Sequence, residues 1–210
     1  MRCRRPFVIL FAIFMLTGVF TVPAKAERFA DLYLGLSHTQ DDELKSTIGS
    51  ASQTNDISFD LSVMIGYRMG YFFERAPFVG LALEGSYTEL EYAGSEDITL
   101  LALSPLLMLR IPIHKTDEYP RGEWFPYVGI APGIYKTRID NAGITGDSVD
   151  IGWDLRTGVK KMVAPNWAIG LEYRYMGFSP EFEDDVAGDS AKAETDLNIH
   201  SLLFGVTYNF

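Results

Sequence analysis

From Ile57 to Arg68 the chain changes character at every residue. Ile57, Phe59, Leu61, Val63, Ile65 and Tyr67 alternate with Ser58, Asp60, Ser62, Met64, Gly66 and Arg68. A period of two sends successive side chains to opposite faces, which is the pattern of a β-strand with one oily face. The rhythm recurs along the chain, at 29–39, 57–69, 78–90, 98–111, 124–138, 149–163 and 167–178, and in a terminal strand ending at Phe210. Leu32, Leu34 and Leu36 form the first oily face, and Leu202, Phe204, Val206, Tyr208 and Phe210 the last. In 98–111 the parity puts Leu101, Leu103, Leu107, Leu109 and Ile111 on one face and Ser104 and Arg110 on the other. Pro105 removes one ladder donor there. No helical stripe and no longer repeat interrupts the eight predicted strands.

The connections alternate in length. Gly70–Pro77, Ile113–Glu123 and Ala164-Pro165-Asn166 fall at one end, and 40–56, 91–97, 139–148 and 179–196 at the other. Tyr67, Phe78, Trp124, Trp167, Tyr208 and Phe210 are expected near the first end, and Tyr87, Tyr135, Trp153 and Tyr175 near the second. Two such girdles suit rings at two membrane boundaries.

The other face of the strands carries charge. Asp31, Asp60, Glu84, Asp154 and Glu172 face Arg68, Arg110, Arg156, Lys160 and Arg174, five acids against five bases. A soluble sandwich would bury the oily faces and wet these. The inverse arrangement turns oil to lipid and charge inward, where equal numbers predict a paired network. Lys161 has outward parity but stands at a strand end, where it can snorkel. Small inward residues, Gly129, Ala131, Gly133 and Gly158, are the places where such an interior could admit water.

The N-terminus reads differently. Arg2, Arg4 and Arg5 precede an uncharged run from Phe7 to Phe20, and Ala24-Lys25-Ala26 follows. That is the layout of a secretory signal peptide, with cleavage expected after Ala26. The run is shorter than the roughly 20 residues of a membrane helix. Arg4-Arg5 only echoes a twin-arginine signal, and Cys3 lies too early for a lipid anchor. Residues 27–210 then form one domain. The full chain has 18 basic and 28 acidic residues, and four basic ones (Arg2, Arg4, Arg5, Lys25) leave with the signal, giving 14 − 28 = −14. Such a charge argues against nucleic acid as a partner. Cys3 being the only cysteine, the mature part has no disulfide or thiolate site. A membrane protein without apolar helices must be a closed barrel.

The whole mature chain resembles the small bacterial outer-membrane β-barrel superfamily: the transmembrane domain of outer-membrane protein A and the adhesion and opacity-type barrels. The resemblance rests on Pro126–Tyr135, Leu171-Glu172-Tyr173-Arg174-Tyr175 and the ending Tyr208-Asn209-Phe210. It implies an all-β, eight-stranded antiparallel up-and-down transmembrane barrel, in contact with outer-membrane lipid and lipopolysaccharide. It also implies that Phe204, Val206, Tyr208 and Phe210 are the signal read by the barrel-assembly machinery. Short turns would be periplasmic and long loops extracellular.

Candidate chemistry is sparse, and no cofactor is expected. Some barrels of this size deacylate lipid A with a His-x-Ser pair; here Leu202 stands where Ser is needed after His200, and Ser201 has the opposite parity. His38 and His114 are expected at opposite ends, away from any metal cluster. Glu84 and Glu172 are an alternative acid–base couple. Asp41, Asp42 and Glu43 crowd the first long connection. Glu181, Glu183, Asp184, Asp185, Asp189, Glu194 and Asp196 crowd the last, against Lys192. They read as a solvated surface that meets a host or surface ligand, or as oxygen ligands for Ca²⁺ or Mg²⁺. The expected function is a structural or surface-interaction barrel with a filled interior, the alternatives being a lipid A-modifying enzyme and a narrow pore.

Overall fold

The barrel strands form where the sequence alternates, although the one predicted at 57–69 begins only at Ser62. The computed structural model describes residues 26–40, 42–48, 51–57, 60–92, 96–141, 144–186 and 189–210. The expected signal peptide therefore lies outside the described residues, apart from Ala26. Eight strands carry the oily faces: β1 (Glu27–Thr39), β4 (Ser62–Phe73), β5 (Ala76–Tyr92), β6 (Glu96–Arg110), β7 (Trp124–Asn141), β8 (Ile144–Ala164), β9 (Trp167–Phe178) and β12 (Leu197–Asn209). They close into a barrel in the order β1-β12-β9-β8-β7-β6-β5-β4. Every neighbouring pair is antiparallel, and closure runs from Phe29 opposite Asn209 to Thr39 opposite Ile199. This is the predicted eight-stranded up-and-down barrel.

Two long connections differ from expectation. Segments 40–56 and 179–196, read as loops, form the hairpins β2 (Asp42–Ile48) with β3 (Ala51–Ile57) and β10 (Glu181–Val186) with β11 (Asp189–Glu194). β2 and β11 pair side by side, making one four-stranded sheet in the order β10-β11-β2-β3. An isolated hairpin is marginal in water, whereas three or more strands sustain one another. The closure of the barrel supplies the missing neighbour by setting these hairpins next to each other. A third connection is also shorter than read: the β7–β8 ladder continues to Asn141 opposite Ile144.

The faces separate as the parity requires. Leu32, Leu34, Leu36, Val63, Ile65, Leu171 and Phe204 are each at least half exposed on the outside, while Asp31, Ser37, Arg68, Glu84, Asp154 and Arg174 are buried within. An apolar surface this continuous does not persist in water. Tyr135 is the exception to the predicted girdle. It shares the inward face of β7 and is fully buried, stacked on Phe178 with ring centroids 4.2 Å apart. In the ladder between β6 and β7, pairing lapses between Leu103–Ile134 and Leu107–Ile130, where Pro105 and Pro132 face each other without N–H groups to share.

The connection 111–123 is long because it covers the short-turn end. Ile113 bridges to Trp124, the Met162 N–H donates to the Glu123 carbonyl at 2.8 Å, and Tyr119 packs on Phe125, Met162 and Ala168. Lys161 stands outside the wall, its Nζ 3.6 Å from Glu123 and 4.9 Å from the Trp124 ring centre. The fold carries a direct test. Leu34 lies opposite both Phe204 and Ile65 on the outer face, so Leu34→Arg should destabilise the barrel by about 2–4 kcal/mol. Reversible urea unfolding in lipid vesicles measures it, and an unchanged midpoint would mean that this face does not meet lipid.

Candidate functional site

Seven of the eight barrel strands send a polar side chain to one place inside the barrel. Asp31 (β1), Arg68 (β4), Glu84 (β5), Ser104 (β6), Tyr127 (β7), Asp154, Arg156 and Lys160 (β8), and Glu172 and Arg174 (β9) meet there. Arg68 is the hub on one side. Its Nε donates to Glu84 Oε2 at 2.6 Å, its Nη2 to both Glu172 oxygens at 2.8 and 2.7 Å, and its Nη1 lies 3.3 Å from Asp31. Arg174 is the hub on the other. Its Nη2 reaches Asp154 at 2.6 Å, while its Nη1 lies 3.0 Å from Glu84 and donates to Ser86 at 2.9 Å. Arg156 joins the two, touching Glu84 through Nη1 and Asp154 through Nη2 at 2.6 Å. Lys160 holds Asp31 at 2.7 Å, and the Tyr127 hydroxyl donates to Glu172 at 2.5 Å.

Four acids and four bases make this cluster neutral, and Arg68, Glu84, Asp154, Arg156 and Arg174 are at most 3% exposed. Charges so buried persist only when each is paired and hydrogen-bonded. Two residues of the predicted network stand apart. Arg110 pairs instead with Glu27 at the short-turn end (2.9 and 2.5 Å), its guanidinium 3.6 Å from the centre of the Phe72 ring. Asp60 has inward parity but precedes β4 and is exposed at the rim. Parity gives a face and not a height, and Asp60 lies above the last barrel row.

The small inward residues make room for large neighbours. A Cβ on Gly129 would lie 2.9 Å from the Arg156 stem, and one on Gly133 2.3 Å from the Tyr135 ring. One on Gly158 would meet the Tyr127 ring at 2.8 Å. Among the described residues, two cavities beside the cluster hold about 20 Å³ each, lined by Phe29, Arg110 and Tyr127 in one and Arg68, Glu172 and Leu203 in the other. That volume is of the order of a single water molecule. Glu84, touched by three guanidinium groups, is built into an ion-pair lattice and presents no edge to a substrate.

The histidines sit elsewhere. The Tyr173 hydroxyl and His200 Nδ1 are 2.7 Å apart on the outer surface. Ser201 turns inward and shares a 2.8 Å hydrogen bond with Ser37, away from His200. His114 contacts Glu123 near the opposite end, whereas His38 lies directly opposite His200 in the closure ladder. That juxtaposition was hidden in the sequence, because the two residues are neighbours only once the barrel closes. Among the described residues no group of three or more His, Cys, Asp or Glu is arranged to hold a metal ion. Of the acidic residues in the long connections, Asp41 lies outside the described residues. Asp42 and Glu43 stand in β2, and Glu181, Glu183, Asp184, Asp185, Asp189 and Glu194 in β10 and β11.

A family model described as the outer membrane protein beta-barrel domain matches residues 12–210. The chain belongs to that family. Its place is accordingly the bacterial outer membrane, with the oily belt in contact with lipid. No curated protein matches the sequence. Solved structures share the fold at low identity. The outer membrane protein OprG of Pseudomonas aeruginosa is 18% identical, with 89% of this chain and 97% of that one covered and a TM-score of 0.65. The outer membrane protein AlkL, determined in lipid bilayers, is 15% identical over 90% and 95%, at 0.60. Neisserial surface protein A is 16% identical over 87% and 97%, at 0.57.

In this outer-membrane barrel, Glu84→Ala would strand charge on Arg68, Arg156 and Arg174 together. Leaving a buried partner unpaired costs about 3–5 kcal/mol. The expected result is a barrel that unfolds at markedly lower urea, read by the shift in gel mobility between folded and unfolded forms. A wild-type midpoint would show that the cluster is not a stabilising lattice.

Proposed function

We propose that this protein is a non-catalytic surface barrel: a filled cylinder that anchors an acidic extracellular sheet and conducts little or nothing. The observation that carries the reading is the ion-pair cluster, which spans the interior from seven strands and leaves voids of about 20 Å³. Eight strands enclose little more than their own side chains, and an aqueous channel needs about 16. The sheet of β2, β3, β10 and β11 then holds the acidic segments outside the membrane as a surface for a host or cell-surface ligand. The reading expects no steady single-channel openings from refolded protein in planar bilayers, and an unchanged lipid A acyl pattern in overexpressing cells. Steady openings would establish a pore, and an altered acyl pattern lost in His200→Ala an enzyme. With both absent, ligand capture on whole cells tests the acidic sheet directly.

Export completes the proposal. The basic start, uncharged run and Ala24-Lys25-Ala26 site support cleavage after Ala26. Phe204 and Val206 on β12 face outward, 50% and 39% exposed, Phe210 just past its end is 63% exposed, and Tyr208 is half-buried beside them. That face is accessible to the barrel-assembly machinery as a recognition strip. N-terminal sequencing of the outer-membrane fraction should begin at Glu27, and deletion of Phe210 should reduce the amount recovered there. An intact Met1 start in that fraction would overturn the cleavage, and undiminished yield the role of the strip.

A further inference from the structure

The closure of the barrel places two imidazoles side by side on its outer surface. His38 of β1 and His200 of β12 are direct partners in the ladder, and both have outward parity. Facing residues on one side of an antiparallel pair have Cβ atoms about 4.5–5.5 Å apart, within the span that one metal ion bridges with two ring nitrogens. The row is also at a boundary. Leu36 and Leu202, exposed by 50% and 56%, form the next row toward the membrane centre. On the other side the Gln40 N–H donates to the Asn198 carbonyl at 2.8 Å. The pair thus stands where the apolar belt gives way to the polar headgroup layer.

His200 is held in place. Tyr173 hydrogen-bonds its Nδ1 at 2.7 Å, and the rings of Tyr175 and Tyr173 lie 5.3 and 6.1 Å from its own. Tyr175 is itself fixed by donating to Asn198 Oδ1 at 2.6 Å. With Nδ1 engaged, Nε2 is the nitrogen left to a ligand. A metal-bound histidine characteristically has its ring and tautomer fixed by an oxygen that accepts its other N–H, a part the Tyr173 hydroxyl is placed to take.

We propose that His38 and His200 form a two-imidazole site for a divalent transition metal, with Tyr173 positioning His200 and the remaining coordination positions open to water. Imidazole suits Cu²⁺, Ni²⁺ and Zn²⁺, with Cu²⁺ bound most tightly, whereas Ca²⁺ and Mg²⁺ select oxygen. The excess negative charge of the chain draws cations toward this surface. The site is independent of whether the barrel conducts and of what its acidic sheet meets.

The test is titration of refolded mature protein (residues 27–210) in detergent micelles with Cu²⁺, followed by electron paramagnetic resonance. One equivalent should bind with hyperfine coupling to two imidazole nitrogens. His38→Gln and His200→Gln should each weaken binding by tenfold or more and leave one coupled nitrogen. Tyr173→Phe should weaken binding by about tenfold while both nitrogens remain, as expected for loss of an outer partner. His114→Gln, at the other end, should change nothing. Folding of each variant is read from its gel mobility, and because both imidazoles have outward parity the substitutions leave the interior untouched. Equal Cu²⁺ affinity and spectra in the wild type and both rim variants would overturn the site and assign the metal to the acidic sheet or the chain terminus. A wild-type spectrum with one nitrogen would overturn it as well.

Discussion

A strand edge in lipid has no water to satisfy its N–H and C=O groups, so the pairing of β1 with β12 is the contact on which the rest depends. Eleven residue pairs close this seam, from Phe29–Asn209 to Thr39–Ile199. Above the rim the same seam continues as β2 beside β11, from Ala191–Ile48 to Glu194–Lys45. The first and last hairpins are thus tied together twice, once within the membrane belt and once beyond it. The acidic segments gain a regular backbone from this, although their own sequence offers no apolar face to nucleate one.

Closure also fixes what the interior must contain. An outward apolar face needs only hydrocarbon neighbours, and period two then commits every second residue to a narrow lumen. Arg68, Arg156 and Arg174 are large enough to fill that lumen, and Gly129, Gly133 and Gly158 supply the hollows their neighbours occupy. The four acids and four bases of the cluster sum to zero. The net charge of −14 on residues 27–210 (14 basic against 28 acidic) therefore belongs to the rest of the molecule. Neutrality is a demand of the low-dielectric interior, where an unpaired charge is costly, and the wet ends are under no such demand.

Much of this was legible from alternation alone: the eight barrel strands, their parity, and most members of the interior cluster. Height along the barrel was not legible, because parity is blind to it. Asp60 shares the inward parity of Arg68 yet stands at the rim, and Arg110 lies a full level below Glu84, beside Glu27. Height along the strand suggests a girdle position for Tyr135, but its parity with Gly133 and Ala131 puts it inside, where it is buried. Polar hairpins such as β2–β3 carry no period-two apolar signal, so only their neighbours reveal them. The adjacency of His38 and His200 belongs to the same class: it exists only between residues joined by closure.

The cluster couples these features in time as well as space. Its ion pairs join residues distant in the chain: Arg68 and Glu172 are 104 positions apart, and Lys160 and Asp31 are 129 apart. No single hairpin completes the network: the β4–β5 pair has Arg68 and Glu84, but Arg68 must also satisfy Glu172 and Asp31 from β9 and β1. A half-inserted sheet would therefore expose unsatisfied charge along one face and unpaired backbone along its edges. Each Arg or Lys set in the bilayer near its middle costs about 2–4 kcal/mol, and each carboxylate somewhat less, so partial sheets are penalised according to the partners they lack. The last strand to arrive removes the open edges and seals the charged face at once. Lattice and seam thus form together, which makes assembly of the barrel cooperative.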